Sequence, residues 1–326
     1  MTLSRRHAIA AGALAVAPTA LAEAPPRARI AITLDLEMAR NFPRWEDTHW
    51  DYEKGNLDDA TKAYAVAAAE RVAARGGRIH FFLVGRALEQ ADVGWLERLH
   101  RAGHPIGNHT YDHVALLATA TADLQYRFQR APWLVAGRTP AEVIRENIIL
   151  TTAALRARLG IAPAGFRTPG GFADGLRGRE DLQTMLLDLG FPWVSSLYPA
   201  HANSPPGADP SPDVVSDIVA AQARAQPFAY PSGLVEIPMS PVSDIGAFRN
   251  GRWSLDAFVA TTRRCLAKVI ADGGVFDFLG HPACLHVVDP HFRTIDAICD
   301  AVAAAGDRAA FTDLGGIASD VARGGR

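Results

Sequence analysis

The chain has 326 residues, 48% of them hydrophobic, and a formal charge of −2 at pH 7. That composition supplies a sizeable core, and its interspersed charges exclude the basic face that a nucleic-acid partner requires. Cys265, Cys284 and Cys299 are the only cysteines and show no C-x-x-C spacing, which excludes a cysteine zinc knuckle or a disulfide framework.

The first residues differ from the rest. Arg5 and Arg6 precede an apolar stretch from Ala8 to Ala17, and Ala20-Leu21-Ala22 fits a small-residue cleavage site. This pattern predicts an export signal of twin-arginine type over 1–22 and a periplasmic bacterial protein whose mature form starts near Glu23. The apolar stretch is too short and too rich in alanine for a stable membrane span.

From there apolar runs alternate with amphipathic ones. Strands are predicted over 30–35, 79–84, 105–108, 164–167, 193–197, 234–237 and 275–279, and helices over 58–75, 95–102, 140–159, 180–189, 255–271 and 290–305. Thr139-Pro140-Ala141-Glu142 is a capping box with proline at the first helical position, and Asp289-Pro290 repeats the cap-then-proline signal. Gly76-Gly77, Gly160 and Gly273-Gly274 mark helix ends. The alternation predicts an α/β fold, and no linker divides residues 23–326 into separate domains.

Three long insertions stand out. Residues 38–57 carry Phe42, Trp45, Trp50 and Tyr52 with His49 and Asp51, and residues 114–138 carry Tyr126, Phe128 and Trp133. These aromatics serve equally well as platforms for sugar faces or as buried loop anchors. Residues 201–229 read as a long flexible loop. Cys265 and Cys299 fall in predicted helices as packing residues, Cys284 is a candidate pocket residue, and Glu236 and Asp244 are candidates for substrate contact.

The chemistry sits at strand ends. Asp35 and Glu37 point the same way if the chain stays extended, and two such carboxylates repel unless one binds a cation or takes a proton. His109 and His113 share a face if their segment forms a helical turn. Two histidines and a carboxylate make a three-ligand metal site with positions left for water.

On four segments the chain resembles the polysaccharide deacetylase family (NodB-homology, carbohydrate esterase family four), over roughly 29–315. The family motifs T-F-D-D, H-[ST]-x-x-H, R-x-P-x-G and L-x-H compare with Thr33-Leu34-Asp35-Leu36-Glu37, His109-Thr110-Tyr111-Asp112-His113, Arg167-Thr168-Pro169-Gly170-Gly171 and Leu279-Gly280-His281. The resemblance implies a single-domain, irregular (β/α) barrel. It also implies removal of N-acetyl groups from amino sugars of a polysaccharide or oligosaccharide by metal-bound water. The implied ion is divalent, zinc first, with cobalt, manganese or nickel as alternatives.

By the same resemblance Asp35 is the general base and His109 and His113 are metal ligands. The family's metal carboxylate directly follows the base, but Leu36 stands there, so Glu37 takes the role in a D-x-E variant. Arg167 pairs with Asp35 and keeps it ionised, the Gly170 N–H serves the oxyanion, and His281 is the general acid. The aspartate of the family's fourth motif, which orients that histidine, is missing from 191–196, leaving Ser196 or Asp244 to fill its place. A His281 without a carboxylate partner predicts an early fall of the alkaline limb of the rate profile. Two other readings are a hydrolase of small cyclic or linear amides on the same fold and a non-catalytic glycan-binding module.

Overall fold

The computed structural model describes residues 27–38 and 54–324. The predicted export signal and the first insertion's Phe42, Trp45, His49, Trp50, Asp51 and Tyr52 lie outside the described residues.

Among the described residues nine strands form one sheet: β1 (Ala28–Leu36), β2 (Ile79–Leu83), β3 (Ile106–Asn108), β4 (Phe166–Phe172), β5 (Trp193–Leu197), β6 (Phe228–Ala229), β7 (Val235–Glu236), β8 (Val275–Gly280) and β9 (Ala309–Phe311). Their order is β6-β7-β5-β4-β3-β2-β1-β8, with β9 also on β1. Every pairing is parallel except β6 with β7. Between β7 and β8 the chain joins the two ends of the sheet without forming a strand of its own. Ile237 N donates to Val194 O (2.8 Å), Met239 N to Leu197 O (2.9 Å) and Ser240 N to Asp277 O (3.0 Å), and Ser243 bridges Leu279. The result is a curled, incomplete (β/α) barrel of the irregular NodB type.

The apolar pattern explains this closure. Strand β1 is buried almost throughout, as a strand covered on both faces must be. On its outer side Ile30, Ile32, Leu34 and Leu36 pack with Phe276, Phe278 and the helices Asp59–Ala73 and Leu255–Asp272. Inside, the side chains are polar: Thr33, Asp35, Arg167, Ser195 and Asp277 are all buried and mutually bonded. The helix Pro140–Leu159 begins at the predicted capping box and ends at Gly160 in the left-handed conformation.

Two expectations need correction. Residues 201–229 are not a single loop, because Ser211 caps a helix, Pro212–Ala221, that buries Val215, Ile218 and Ala221. The Asp289 cap works, yet the helix starts at Arg293; the Asp289 carboxylate accepts from Arg293 N (2.8 Å) and Thr294 N (2.7 Å), and Pro290 lies in the turn between. Residues 114–138 form three short helical turns anchored by Leu124, Phe128 and Val135. Among the described residues no helix is long and apolar enough to cross a membrane.

Candidate metal centre

Parallel strands place their C-terminal ends at one mouth of the barrel, where such folds carry their chemistry. Asp35 is the penultimate residue of β1, Glu37 follows the strand, His109 follows β3, Arg167 lies in β4 and His281 follows β8. Asp35, Glu37, His113, Gly170 and His281 line one cavity of about 270 Å³, joined by Lys54, Tyr198, Met239, Arg249 and Asn250.

His109 and His113 come together, though not on a helical turn. Their segment is a loop in which Thr110 and His113 both have positive φ. Asn108 Oδ1 accepts from Thr110 N (2.8 Å) and Thr110 Oγ1 from Val114 N (3.0 Å), and these bonds hold the left-handed turns. The two rings meet edge to face, centroids 5.0 Å apart.

Glu37 is the hub. Its Oε1 lies 3.1 Å from His109 Nε2, 3.0 Å from His113 Nε2 and 3.5 Å from His281 Nε2. Glu37, His109 and His113 each offer one ligand atom within 4.8 Å of the others. The bonding of His109 tests whether a cation fits. Its Nδ1 lies 2.9 Å from the Arg167 carbonyl, an acceptor only, so Nδ1 carries the hydrogen. In a neutral ring Nε2 then presents a lone pair to a carboxylate oxygen, and two acceptors face each other across 3.1 Å. A positive charge between them relieves the conflict. Burial holds His113 below its ordinary pKa, which favours the neutral form that ligates a metal. Burial pushes Glu37 up, but the adjacent His113 ring, the Lys54 ammonium and His281 outweigh it and hold the carboxyl well below its usual range. The donor set fits a divalent metal ion.

Arg167 is fully enclosed. Its guanidinium donates to Asp35 Oδ1 (3.0 Å), Thr33 Oγ1 (2.7 Å), Ser195 Oγ and Asp277 Oδ2 (2.5 Å), and it stacks over Phe82 at 4.4 Å. One cation thus serves two buried carboxylates. Burial pushes Asp277 up to about 7, with Arg167 pulling the other way. Gly170 takes φ +75° at the cavity wall, a conformation in which a side chain is strained. Gly171 leaves room for its neighbours, since a Cβ there would meet Tyr198 Cβ at 2.5 Å.

The acid that orients His281 is Asp244, and Ser196 is excluded. Asp244 caps the π-helical turn Ile245–Gly251, accepts from His281 N (2.7 Å) through Oδ2, and lies 2.8 Å from His281 Nδ1 through Oδ1. Ser196 instead donates to Glu236, a buried carboxylate that also accepts from Leu197 N and Tyr230 Oη. Glu236 therefore holds strand β5 and does not line the cavity. The expectation of an unpaired imidazole is overturned. Burial lowers His281, but Asp244 and Glu37 outweigh it and hold the ring well above its ordinary value. The protonated form then persists through neutral pH and is lost only as pH rises past that raised pKa. Asp244→Asn removes the largest upward influence, so the alkaline limb of kcat/KM should move to lower pH while the rate near pH 6 changes least. A pH–rate profile of the two proteins checks this, and an unmoved limb would separate His281 from the limb.

Cys265 and Cys299 are buried helical packing residues as expected, while other expectations resolve differently. Cys265, Cys284 and Cys299 are free and buried, and Cys284 lies behind His281 without lining the cavity. Phe128 is buried in the second core cluster and Trp133 is 71% exposed, and neither they nor Tyr126 line the cavity. Tyr198 is the lining aromatic among the described residues. Sequence reasoning missed Lys54, Tyr198, Arg249 and Asp277. Only Asp277 had a signal, as a lone charge within the apolar run Val275–Gly280.

Comparison with known proteins agrees with the fold. The family model described as polysaccharide deacetylase matches residues 56–184. The chain is similar to a Mycobacterium smegmatis protein described as a polysaccharide deacetylase, at 16% identity and TM-score 0.61, covering 95% of each chain. A Pseudomonas aeruginosa PAO1 protein of the same description matches at 14% identity and TM-score 0.59, covering 91% of this chain and 92% of that one. The Puue allantoinase matches at 14% identity and TM-score 0.57, covering 90% of both. At these identities the likeness establishes a shared fold. Comparison with curated proteins gave no match. The fold together with the buried carboxylate–histidine cluster supports a metal-dependent hydrolase of this type.

Proposed function

We propose that the chain is an exported, periplasmic enzyme that removes N-acetyl groups from amino sugars of a polysaccharide or oligosaccharide, with a D-x-E first motif. The observation that carries this reading is the convergence of Glu37, His109 and His113 on one point beside the Arg167-held Asp35 and the Asp244-held His281. The residues that would hold the ion are Glu37, His109 and His113. A divalent ion bound there, zinc in our reading, polarises the acyl carbonyl and acidifies water.

The chain's own residues do the rest. Asp35 takes a proton from the attacking water, and Arg167 holds its carboxylate in place through the ion pair at Oδ1. The Gly170 backbone N–H donates to the carbonyl oxygen as charge develops on it. His281 gives its Nε2 proton to the departing nitrogen, while Asp244 on Nδ1 holds the ring in position and favours the cation.

A second reading, hydrolysis of a small cyclic or linear amide, is favoured by the cavity, whose volume of about 270 Å³ suits a small molecule and whose lining includes Arg249 and Asn250. Metal-loaded protein incubated with chitin oligomers, peptidoglycan fragments, acetylated xylan and cyclic ureides separates the two. Acetate release from the N-acetylated glycans is the expected result. Ring opening or ammonia release from ureides alone would replace the first reading with the second.

A further inference from the structure

Lys54 is 2% exposed and sits inside the candidate centre. Its ammonium forms an ion pair with Glu37 Oε2 and lies 3.4 Å from His113 Nε2. The placement is built into the backbone. Gly55 N donates to the Glu37 carbonyl (2.5 Å), and Gly55 has φ +90° with no space for a Cβ, which would meet Arg86 Cβ at 2.3 Å. This glycine turn ties Lys54 directly beside Glu37.

We infer that the Lys54 ammonium is a resident cation that competes with the divalent ion for Glu37 and His113, so that loading the centre drives the Lys54 side chain off Glu37. This rests on the metal-centre reading above and adds to it a cost of loading that the chain itself imposes. Three facts carry it. A buried ammonium requires a counter-charge, and Glu37 supplies it here, because the neighbouring Asp35 is engaged by Arg167. Whichever tautomer His113 adopts, its Nε2 is already engaged, either donating to Glu37 Oε1 (3.0 Å) or accepting from Lys54 (3.4 Å). An ion about 2.1 Å from His113 Nε2 lies at most about 5.5 Å from the ammonium in its present place, where three positive charges would share one glutamate.

The test is a chelator-competition titration of metal-stripped wild type, Lys54→Met and Lys54→Arg with cobalt(II) and zinc at one fixed pH. Removing the charge while keeping the bulk should tighten binding at least tenfold, about 1.4 kcal/mol, and Lys54→Arg should bind no more tightly than wild type. Equal or weaker binding by Lys54→Met overturns the inference and leaves the metal-centre reading standing. Absence of binding in all three proteins overturns both. Should Lys54→Met fail to fold, wild type alone decides. In a crystal structure of the cobalt-loaded protein, the Lys54 ammonium should have left Glu37, and an ion bound beside an intact Lys54–Glu37 pair overturns the inference.

Discussion

Asp35→Asn is expected to lower turnover by about 10²–10⁴-fold while leaving metal content unchanged. The amide nearly matches the carboxylate in size and can still accept from Arg167, but it cannot take a proton from water. Asp35 is 4% exposed, its Oδ1 engaged by Arg167 at 3.0 Å and its Oδ2 3.8 Å from His109 Nε2. It therefore stands beside the ligand set, outside the tight group that Glu37 makes with the two histidines. A second convergence, of Asp35, Glu37 and His281, makes the experiment informative. Elemental analysis and kcat measured on one preparation check the role. If ion and activity disappear together, Asp35 is a ligand and the base must be sought elsewhere.

Arg167→Met should destabilise the fold by about 3–5 kcal/mol, the range for removing one partner of a buried ion pair. The guanidinium is fully buried and bonds Asp35, Asp277, Thr33 and Ser195 at the centre of the barrel. Methionine fills similar volume but leaves two enclosed carboxylates without their cation. The deficit should depend on pH, and its sign follows from Asp277. Burial raises that carboxyl to about 7 in the folded protein, so the folded state binds its proton more tightly than the unfolded one. The group's contribution to stability is therefore fully present below the ordinary carboxylate range and lost as pH rises through about 7. Losing Arg167 raises the cost of ionisation further, so the deficit should be larger at pH 8 than at pH 5. Urea unfolding of both proteins at the two pH values checks this, and a deficit under 1 kcal/mol at both would show the pair to be dispensable.

Much of this was legible in the chain because an apolar run followed by a chemical residue is a strong pattern. The runs of β1, β4 and β8 end on or contain the residues that now face the cavity or its support. Strands β6 and β9 span only two and three residues, too few to show a period of two. The His109/His113 spacing pointed to the right neighbours by way of the wrong backbone. The expected helical turn is a loop with two positive φ angles, and its bonds from Asn108 and Thr110 are set by tertiary context. Asp244 was one of two candidates because it lies 37 residues before His281 in sequence, and the bridge of Ser243 to Leu279 is what brings them together. Lys54 carried no signal. Its position depends on a glycine turn whose meaning appears only when Arg86 and the Glu37 carbonyl are beside it.

The most direct measurement is metal content and acetate release on the same samples of wild type, Glu37→Ala, His109→Ala and His113→Ala, after stripping by chelator and again after reloading with zinc. Each alanine variant removes one of three protein ligands, so ion and turnover should be lost together. Reloading should restore both in wild type and in none of the variants. Undiminished turnover in fully stripped wild type, or full occupancy in Glu37→Ala, would contradict a metal centre built on Glu37, His109 and His113.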